Sequence, residues 1–193
     1  KGEIKVFTMA PELQPDEVIR YLDKENIIIS IGHSAASYEE AMTFLTGRRR
    51  MATHLFNGMQ PMHHRRPGLI PAIFRAKPYT GIVADGIHIS YPMIRLAKQI
   101  LGETLMLVTD AVTTCTTGAY LHTLRGDHYA TIGPDGKETI SGSALSMLKA
   151  VRNCVEHIDI PLAEAINMAS LYPARSLNIA DHVGLIKKGY DAD

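Results

Sequence analysis

The segment Ile27-Ile-Ile-Ser-Ile-Gly-His33 places a histidine two residues beyond a short apolar run, and Ser37-Tyr-Glu-Glu40 follows closely. A short run that is rich in β-branched residues predicts a strand covered on both faces, as in a parallel sheet. Ser37 and Glu40 match a capping box, which predicts a helix that begins at this point. The segment therefore predicts one strand-to-helix unit with a histidine in its connection.

The same alternation of short β-rich runs and longer amphipathic runs continues along the chain, which predicts repeated βα units and a mainly parallel sheet. Residues 118–141 interrupt the alternation, because the β-rich runs 121–124 and 129–132, together with the turn Gly133-Pro-Asp-Gly136, predict an inserted hairpin. The predicted strands are 4–8, 27–31, 51–55, 80–84 and 105–109, and the predicted helices are 14–25, 37–45, 91–101, 146–157 and 162–170.

The composition excludes several classes of protein. The 193 residues are 46% hydrophobic and 21% charged, which is typical of one sizeable globular domain. Because 20 basic residues balance 20 acidic ones, the charge favours neither nucleic acid nor an anionic membrane as a partner. The apolar stretches are far shorter than the roughly 20 residues of a membrane span. Cys115 and Cys154 form no CxxC pair, which predicts no disulfide scaffold and favours the cytoplasm.

Polar residues lie at or just beyond the carboxyl ends of four successive predicted strands. They are His33, His54, Asp85 with His88, and Asp110. Ligands of parallel α/β proteins bind at that edge of the sheet. A buried polar group without a partner costs roughly 2 to 7 kcal/mol, so these groups either satisfy one another or hold a ligand. Histidine and aspartate together suit a divalent metal with an activated water, and the residues alone leave both interpretations open.

Seven motifs, which together cover essentially the whole chain, resemble those of one known family. They are Ile31-Gly-His33-Ser-Ala-Ala, Ala52-Thr-His54-Leu-Phe-Asn57-Gly-Met59, Arg65-Arg-Pro-Gly68, Ala84-Asp-Gly-Ile-His88, Val108-Thr-Asp110-Ala, Ser141-Gly-Ser143-Ala-Leu145 and Leu171-Tyr-Pro-Ala-Arg175. In this combination the chain resembles the N-acetylglucosamine-6-phosphate deacetylases of the amidohydrolase superfamily.

The resemblance implies a TIM-like (β/α)8 barrel of the metal-dependent amidohydrolase type, with a small β-sandwich beside it. It implies removal of the acetyl group from N-acetylglucosamine 6-phosphate, which gives glucosamine 6-phosphate and acetate. His33 and His54 are then expected to bind one divalent metal ion, zinc first, with iron, manganese or cobalt also compatible. Asp110 is expected to act as the general base and acid.

The resemblance also implies a set of substrate contacts. Asn57, Gly58, Arg65, His88 and the segment Ile140-Ser141-Gly142 match positions that hold the sugar and the phosphate in the family. Arginine suits phosphate because its guanidinium offers a rigid fork of donors. In the family the arginine at the position of Arg65 reaches the phosphate of a neighbouring subunit, which implies a homodimer.

The chain departs from the family at one ligand. The family's glutamate lies in a His-x-Glu-Gly-Pro motif, and this sequence has no such motif. We therefore expect residues 1–193 to be part of a longer enzyme and to form a partial barrel domain that lacks the early strands and most of the β-sandwich, with further strands near 139–142 and 182–186. Its edges are expected either to be exposed or to be completed by association. Two alternatives remain open. One is another amidohydrolase, dihydroorotase-like or deaminase-like, and the other is a phosphosugar-binding module without catalysis.

Overall fold

A five-stranded parallel sheet forms the centre of the molecule. The structure is a computed structural model, and it describes residues 4–118, 121–133 and 135–191. The strands lie in the order in which they occur along the chain, each parallel to the one before. They are β1 (Val6–Met9), β2 (Ile28–Ile31), β3 (Arg50–Ala52), β4 (Tyr79–Val83) and β5 (Leu105–Val108). The predicted parallel sheet and its five strands are confirmed, with ends that shift by at most three residues.

The sequential strand order decides the type of α/β fold. A doubly wound sheet reverses its strand order at one point, whereas a sheet of the TIM type keeps adding strands on the same side. No reversal occurs among the five strands. The sheet is therefore consistent with a TIM-type fold.

Seven helices in the described part of the chain accompany the strands. The helices are α1 (Asp16–Lys24), α2 (Tyr38–Leu45), α3 (Leu69–Ala76), α4 (Tyr91–Leu101), α5 (Met147–Ile158), α6 (Leu162–Ala169) and α7 (Leu171–Leu177). Helices α1, α2 and α4 pack against β2, β3 and β5 respectively, and α7 packs against β4 and β5. The capping box of α2 is present, because the Ser37 hydroxyl accepts the Glu40 N–H while the Glu40 carboxylate accepts the Ser37 N–H.

A small antiparallel sheet follows β5. It contains β6 (Thr123–Arg125), β7 (His128–Ile132) and β8 (Glu138–Ser143) in that order. The sheet joins the edge of the large sheet, because the Ser143 N–H donates to the Asp110 carbonyl oxygen at 3.0 Å and the Val112 N–H donates to the Ser143 carbonyl oxygen.

The prediction of one inserted hairpin over 118–141 is therefore corrected to three strands that end at Ser143. The predicted runs 121–124 and 129–132 correspond to β6 and β7, which pair across the turn at Gly126, and β8 is the additional strand. Residues 119, 120 and 134 of the predicted hairpin lie outside the described residues. The expected barrel strand near 139–142 is β8, which pairs with β7 instead, and the segment 182–186 contains no strand.

In the described ranges, no helix combines the length and the apolar character that crossing a bilayer requires.

Candidate active site

Three polar residues at the carboxyl edge of the large sheet share an unusual backbone conformation. His33, His54 and Asp110 follow β2, β3 and β5, and their φ angles are 50°, 25° and 50°. A positive φ is uncommon for residues other than glycine, and such strained residues cluster at active sites and ligand clamps. Each of these strands is therefore followed by a sharp backbone turn that carries a polar side chain, and the three turns lie at the same edge of the sheet.

The His33 and His54 rings meet directly. Their Nε2 atoms lie 2.9 Å apart, and the rings cross edge to face at 81°. His33 is exposed at the rim, whereas His54 is only 5% exposed. Two imidazole nitrogens this close would repel each other if their lone pairs faced each other. Either one nitrogen donates its proton to the other, or a cation lies between the two lone pairs. The predicted pairing of these histidines is present in the structure.

Burial controls the charge of His54. It lowers the pKa of the His54 ring below the ordinary value of 6.5, and repulsion from His33 acts in the same direction, although the charge of Asp110 opposes both. The ring is therefore neutral at neutral pH, which is the form that binds a metal. Its Nδ1 atom is buried without a hydrogen-bond partner among the described residues.

Asp110 faces the same space as His54. Both line an open cavity of about 300 Å³ above the sheet, and Asp110 itself is exposed. Thr53 lies beside them and joins Thr8 and Ser30 in a hydroxyl network with contacts of 3.0 and 2.7 Å. The cavity thus combines a carboxylate, an imidazole and hydroxyl groups at one edge of the sheet.

The histidine pair fits a divalent metal as two of its ligands. Two neutral imidazole nitrogens on one side of an ion are typical of zinc sites, which hold three or four protein ligands in all. No cluster of three or more histidine, cysteine, aspartate or glutamate side chains that could hold a metal occurs within the described ranges. The pair therefore supplies part of such a site.

Gly58 and Asn57 lie close to the histidine pair. Gly58 adopts a φ of 59°, and a Cβ atom added there would lie 2.9 Å from His33 Nδ1. The Asn57 N–H donates to the His54 carbonyl oxygen at 3.0 Å. Both predicted substrate residues therefore belong to the loop that packs around His33 and His54.

His88 is held by Asp85 at the end of β4, between the ends of β3 and β5. His88 Nδ1 lies 2.5 Å from Asp85 Oδ2, and the side chains are 7% and 4% exposed. The sequence pattern predicts Asp85 at the end of a strand but gives it no role. Its position three residues before His88 is the signal that identifies it, because aspartate commonly accepts from the backbone two and three residues ahead.

The remaining predicted contacts lie away from the histidine pair. Arg65 is exposed and lines a separate cavity of about 590 Å³ with Glu39 and Glu40. On β8, Ile140 is 47% exposed and Ser141 Oγ lies 2.8 Å from His122 Nδ1. The structure therefore does not bring these residues together with His33 and His54.

Comparison with known proteins identifies the relatives of this chain. A model of the amidohydrolase family matches residues 9–193. The N-acetylglucosamine-6-phosphate deacetylase of Haemophilus influenzae is 38% identical over 177 residues, which are 86% of this chain and 45% of that protein. The N-acetylgalactosamine-6-phosphate deacetylase of Escherichia coli O157:H7 is 32% identical over 191 residues, which are 96% of this chain and 51% of that protein.

Solved structures give the same result. The crystal structure of N-acetylglucosamine-6-phosphate deacetylase from Pasteurella multocida matches with a TM-score of 0.86 and 32% identity, and the match covers 97% of this chain and 50% of that one. The chain spans about half the length of the curated relatives it matches.

Proposed function

The chain belongs to the amidohydrolase family, and from this premise we propose that it hydrolyses the acetamido group of N-acetylglucosamine 6-phosphate to give glucosamine 6-phosphate and acetate. The observation that carries the proposal is the convergence of His33, His54 and Asp110 at one edge of the sheet, with the two Nε2 atoms 2.9 Å apart. The proteins with these names that resemble the chain support the choice of substrate class.

His33 and His54 would hold one divalent metal ion, for which zinc is our first choice. When bound, such an ion supplies a Lewis acid for the carbonyl oxygen and lowers the pKa of water to about 7. The neutral, buried ring of His54 favours this role, because a protonated imidazole cannot bind a metal. Gly58 leaves room for the His33 ring beside it.

Asp110 would move the proton. An ionised carboxylate can accept a proton from the attacking water and then return one to the nitrogen of the leaving amine, which is otherwise a poor leaving group. The Ser143 N–H fixes the backbone of Asp110 by donating to its carbonyl oxygen at 3.0 Å. The small antiparallel sheet would thereby position the carboxylate over the cavity that it shares with His54.

Substrate contacts extend the proposal outward. Asn57 and Gly58, beside the histidine pair, and His88, after β4, would hold the sugar, whereas Ile140, Ser141 and Gly142 would contact it from β8. Arg65 lies on a different, exposed surface. A role across a homodimer interface would use this exposed surface, with the guanidinium binding the phosphate of a substrate in the second copy.

Two other functions follow from particular observations. Similarity to an N-acetylgalactosamine-6-phosphate deacetylase supports the epimeric sugar as an alternative substrate. A phosphosugar-binding module without catalysis is favoured by the histidine pair, because it has no third ligand in the part of the chain that the structure describes. A dihydroorotase-like or deaminase-like activity has no comparable support.

An acetate-release assay with added zinc tests these functions. Both epimeric sugar phosphates serve as substrates for the unsubstituted chain, for Asp110→Asn and for Asp127→Asn, whose carboxylate is 71% exposed and pairs with Lys149. We expect release by the unsubstituted chain, a loss of about 100-fold or more in kcat for Asp110→Asn, and no change for Asp127→Asn. Turnover that survives Asp110→Asn would remove the proposed mechanism, and tight binding without turnover would identify a binding module.

A further inference from the structure

The carboxylate of Glu12 connects the end of β1 to the loop that carries His33. Glu12 lies in a single 3-10 turn, Pro11–Leu13, just after β1. Its Oε1 atom accepts the Ser34 hydroxyl and the Ala35 N–H, both at 2.9 Å, and its Oε2 atom accepts the same hydroxyl at 2.8 Å. The carboxylate therefore holds the two residues that follow His33.

Ser34 extends this hold to the next part of the loop. Ser34 is only 2% exposed, and its hydroxyl oxygen accepts the Ala36 N–H at 3.1 Å. A hydroxyl group has one proton and two lone pairs, so donation to Glu12 leaves the oxygen able to accept from Ala36. Glu12 thereby orients the hydroxyl on which the backbone turn after His33 depends.

The strained backbone of His33 is fixed on both sides. Its φ of 50° is a conformation that persists only where the surrounding contacts enforce it. On the preceding side, the Gly32 N–H donates to the Met9 carbonyl oxygen at 3.0 Å, and a Cβ atom added to Gly32 would lie 2.8 Å from Thr53 Cβ. On the following side, the hydrogen bonds to Glu12 hold the chain. Loss of these bonds frees one side, so we expect the backbone at His33 to relax.

The direction of the His33 ring depends on this backbone. In the described part of the chain, the ring forms a hydrogen bond only with His54, and His33 is exposed. Within the same ranges, every hydrogen bond of Glu12 goes to Ser34 or Ala35. A change in the backbone at His33 therefore moves its ring relative to the buried ring of His54.

We propose that Glu12 is a positioning residue that holds His33 Nε2 against His54 and so sets the affinity of the histidine pair for a divalent cation. This inference rests on the proposed function for its cation, whereas the hold on the loop rests on the hydrogen bonds alone. Side chains that orient metal ligands typically change metal affinity by about 10- to 100-fold when they are removed. Because Glu12 contacts the loop and not the ring, its reach should matter more than its charge.

Three substitutions of Glu12 separate reach from charge. Glu12→Gln keeps the length of the side chain, and its amide oxygen can accept both the Ser34 hydroxyl and the Ala35 N–H, as Oε1 does in the unsubstituted protein. Glu12→Asp keeps the charge but is one methylene group shorter, so its oxygens lie short of these donors. Glu12→Ala removes all three hydrogen bonds. The proposal predicts that the glutamine variant resembles the unsubstituted protein and that the aspartate variant resembles the alanine variant.

Glu164→Ala is the matched control. Both oxygens of the Glu164 carboxylate accept the Tyr172 hydroxyl at 2.9 Å, and one of them also contacts the Lys98 ammonium group. The control therefore loses a comparable set of hydrogen bonds. Its partners lie on α4 and α7 and not in the loops that carry His33 and His54. We expect a lower melting temperature and an unchanged affinity for zinc.

Calorimetric titration with zinc measures the affinity, and His54→Ala gives the background from other histidines. The dissociation constant should stay within about 3-fold of the unsubstituted value in Glu12→Gln and Glu164→Ala, and it should rise about 10-fold or more in Glu12→Asp and Glu12→Ala. Nuclear Overhauser effects between the His33 and His54 rings in the metal-free protein give a second readout. They should weaken in the aspartate and alanine variants only.

Three results would overturn the inference. They are an unchanged zinc affinity in Glu12→Asp, a loss of affinity in Glu12→Gln as large as that in Glu12→Asp, and an equal loss in Glu164→Ala. The comparison of the glutamine and aspartate variants decides the matter even if Glu12→Ala does not fold. If the unsubstituted protein binds no zinc at the pair, the proposed function fails, and the Overhauser effects still decide whether Glu12 positions His33.

Discussion

At the scale of single residues, the candidate site stores strain in the backbone. The positive φ angles of His33, His54 and Asp110 cost of the order of 1 to 3 kcal/mol each. Surrounding contacts must hold these conformations, and the Asn57 N–H and the Ser143 N–H do so by donating to the carbonyl oxygens of His54 and Asp110. The side chains are thus directed by the backbone as well as by their own contacts.

Gly58→Ala tests how closely the loop fits His33. The new methyl group would lie 2.9 Å from His33 Nδ1, so the ring must shift from the position in which it contacts His54. Gly102→Ala is the control, since Gly102 has a φ of 57° and open space around it. Both variants should lose about 1 kcal/mol of stability, because alanine is strained at positive φ. Calorimetric titration with zinc should show roughly 10-fold weaker binding for Gly58→Ala alone. Equal zinc affinity in the two variants would contradict the fit.

The positions of the site residues could be predicted from the sequence, but the residues that they contact could not. His33, His54 and Asp110 could be predicted because parallel strands deliver polar residues to one edge. The contact between Asp85 and His88 depends on the rotation of the loop after β4, which packing against Tyr91 fixes. The separation of Arg65 from the pair likewise follows from the path of the loop before α3, and no periodic pattern encodes that path.

At the scale of elements, the helix ends differ in how they are capped. Ser37 caps α2 through its side chain, whereas Ser90 stands at the start of α4 without a side-chain capping bond. Ser37→Ala should therefore lower the free energy of unfolding by about 1 kcal/mol, and Ser90→Ala should change it little. Urea denaturation of both variants measures the difference. If both variants lost a similar free energy of unfolding, the capping box of α2 would contribute no more stability than a serine without a side-chain capping bond.

An ion pair ties α1 to β3. Arg50 donates to Asp23 at 2.6 and 2.8 Å, and the Arg50 side chain is 5% exposed. The hydrogen bond from Arg50 lowers the pKa of Asp23 against the effect of burial. A lowered pKa in the folded state means that the stabilisation is complete above the ordinary value of 3.8 and is lost as the pH falls below it.

Asp23→Asn should therefore lower the stability at pH 7 by about 2 kcal/mol, because a buried guanidinium loses its charged partner. As the pH falls below about 4, the free energy of unfolding should also decrease less in the variant than in the unsubstituted protein, because the variant has no carboxyl group at position 23 to protonate. Asp16→Asn is the control, since Asp16 is exposed and lies 3.9 Å from Arg20. Thermal melts across the pH range give both quantities. If the stability of Asp23→Asn and that of the unsubstituted protein changed with pH in the same way, protonation of Asp23 would not be linked to unfolding.

Most elements could be predicted from pattern, and the exceptions have physical causes. The helix over 91–101 matches α4 at both ends, because Pro92 and Gly102 mark its limits. Helices α3 and α7 were not predicted, since each is short and contains a proline in its first turn. The run 139–142 is predicted as a barrel strand, whereas β8 pairs with β7 in the small sheet, because strand pairing is a tertiary contact that the local pattern does not encode.

At the scale of the whole molecule, β1 forms an edge of the large sheet. Its side chains Val6 and Thr8 face the open cavity above the sheet, and Phe7 is 43% exposed. An exposed strand edge is a template for pairing with another chain. Self-association through this edge is therefore expected.

Phe7→Lys should weaken that association, because edge lysines oppose strand pairing and the apolar contact is lost. We expect the dissociation constant to rise roughly 10-fold or more in light scattering coupled to size exclusion. Leu148→Lys on α5, where the side chain is 77% exposed, is the control and should leave it unchanged. A concentration-independent monomer for the unsubstituted protein would exclude association at this edge.

The sequential order of the five strands also bears on biosynthesis. A ribosome releases the amino-terminal strands first, at about 5 to 20 residues per second. Because every strand from β2 to β5 pairs with its immediate predecessor, each finds its partner already outside the exit tunnel. The sheet can thus grow vectorially during translation, one hydrogen-bonded ladder at a time.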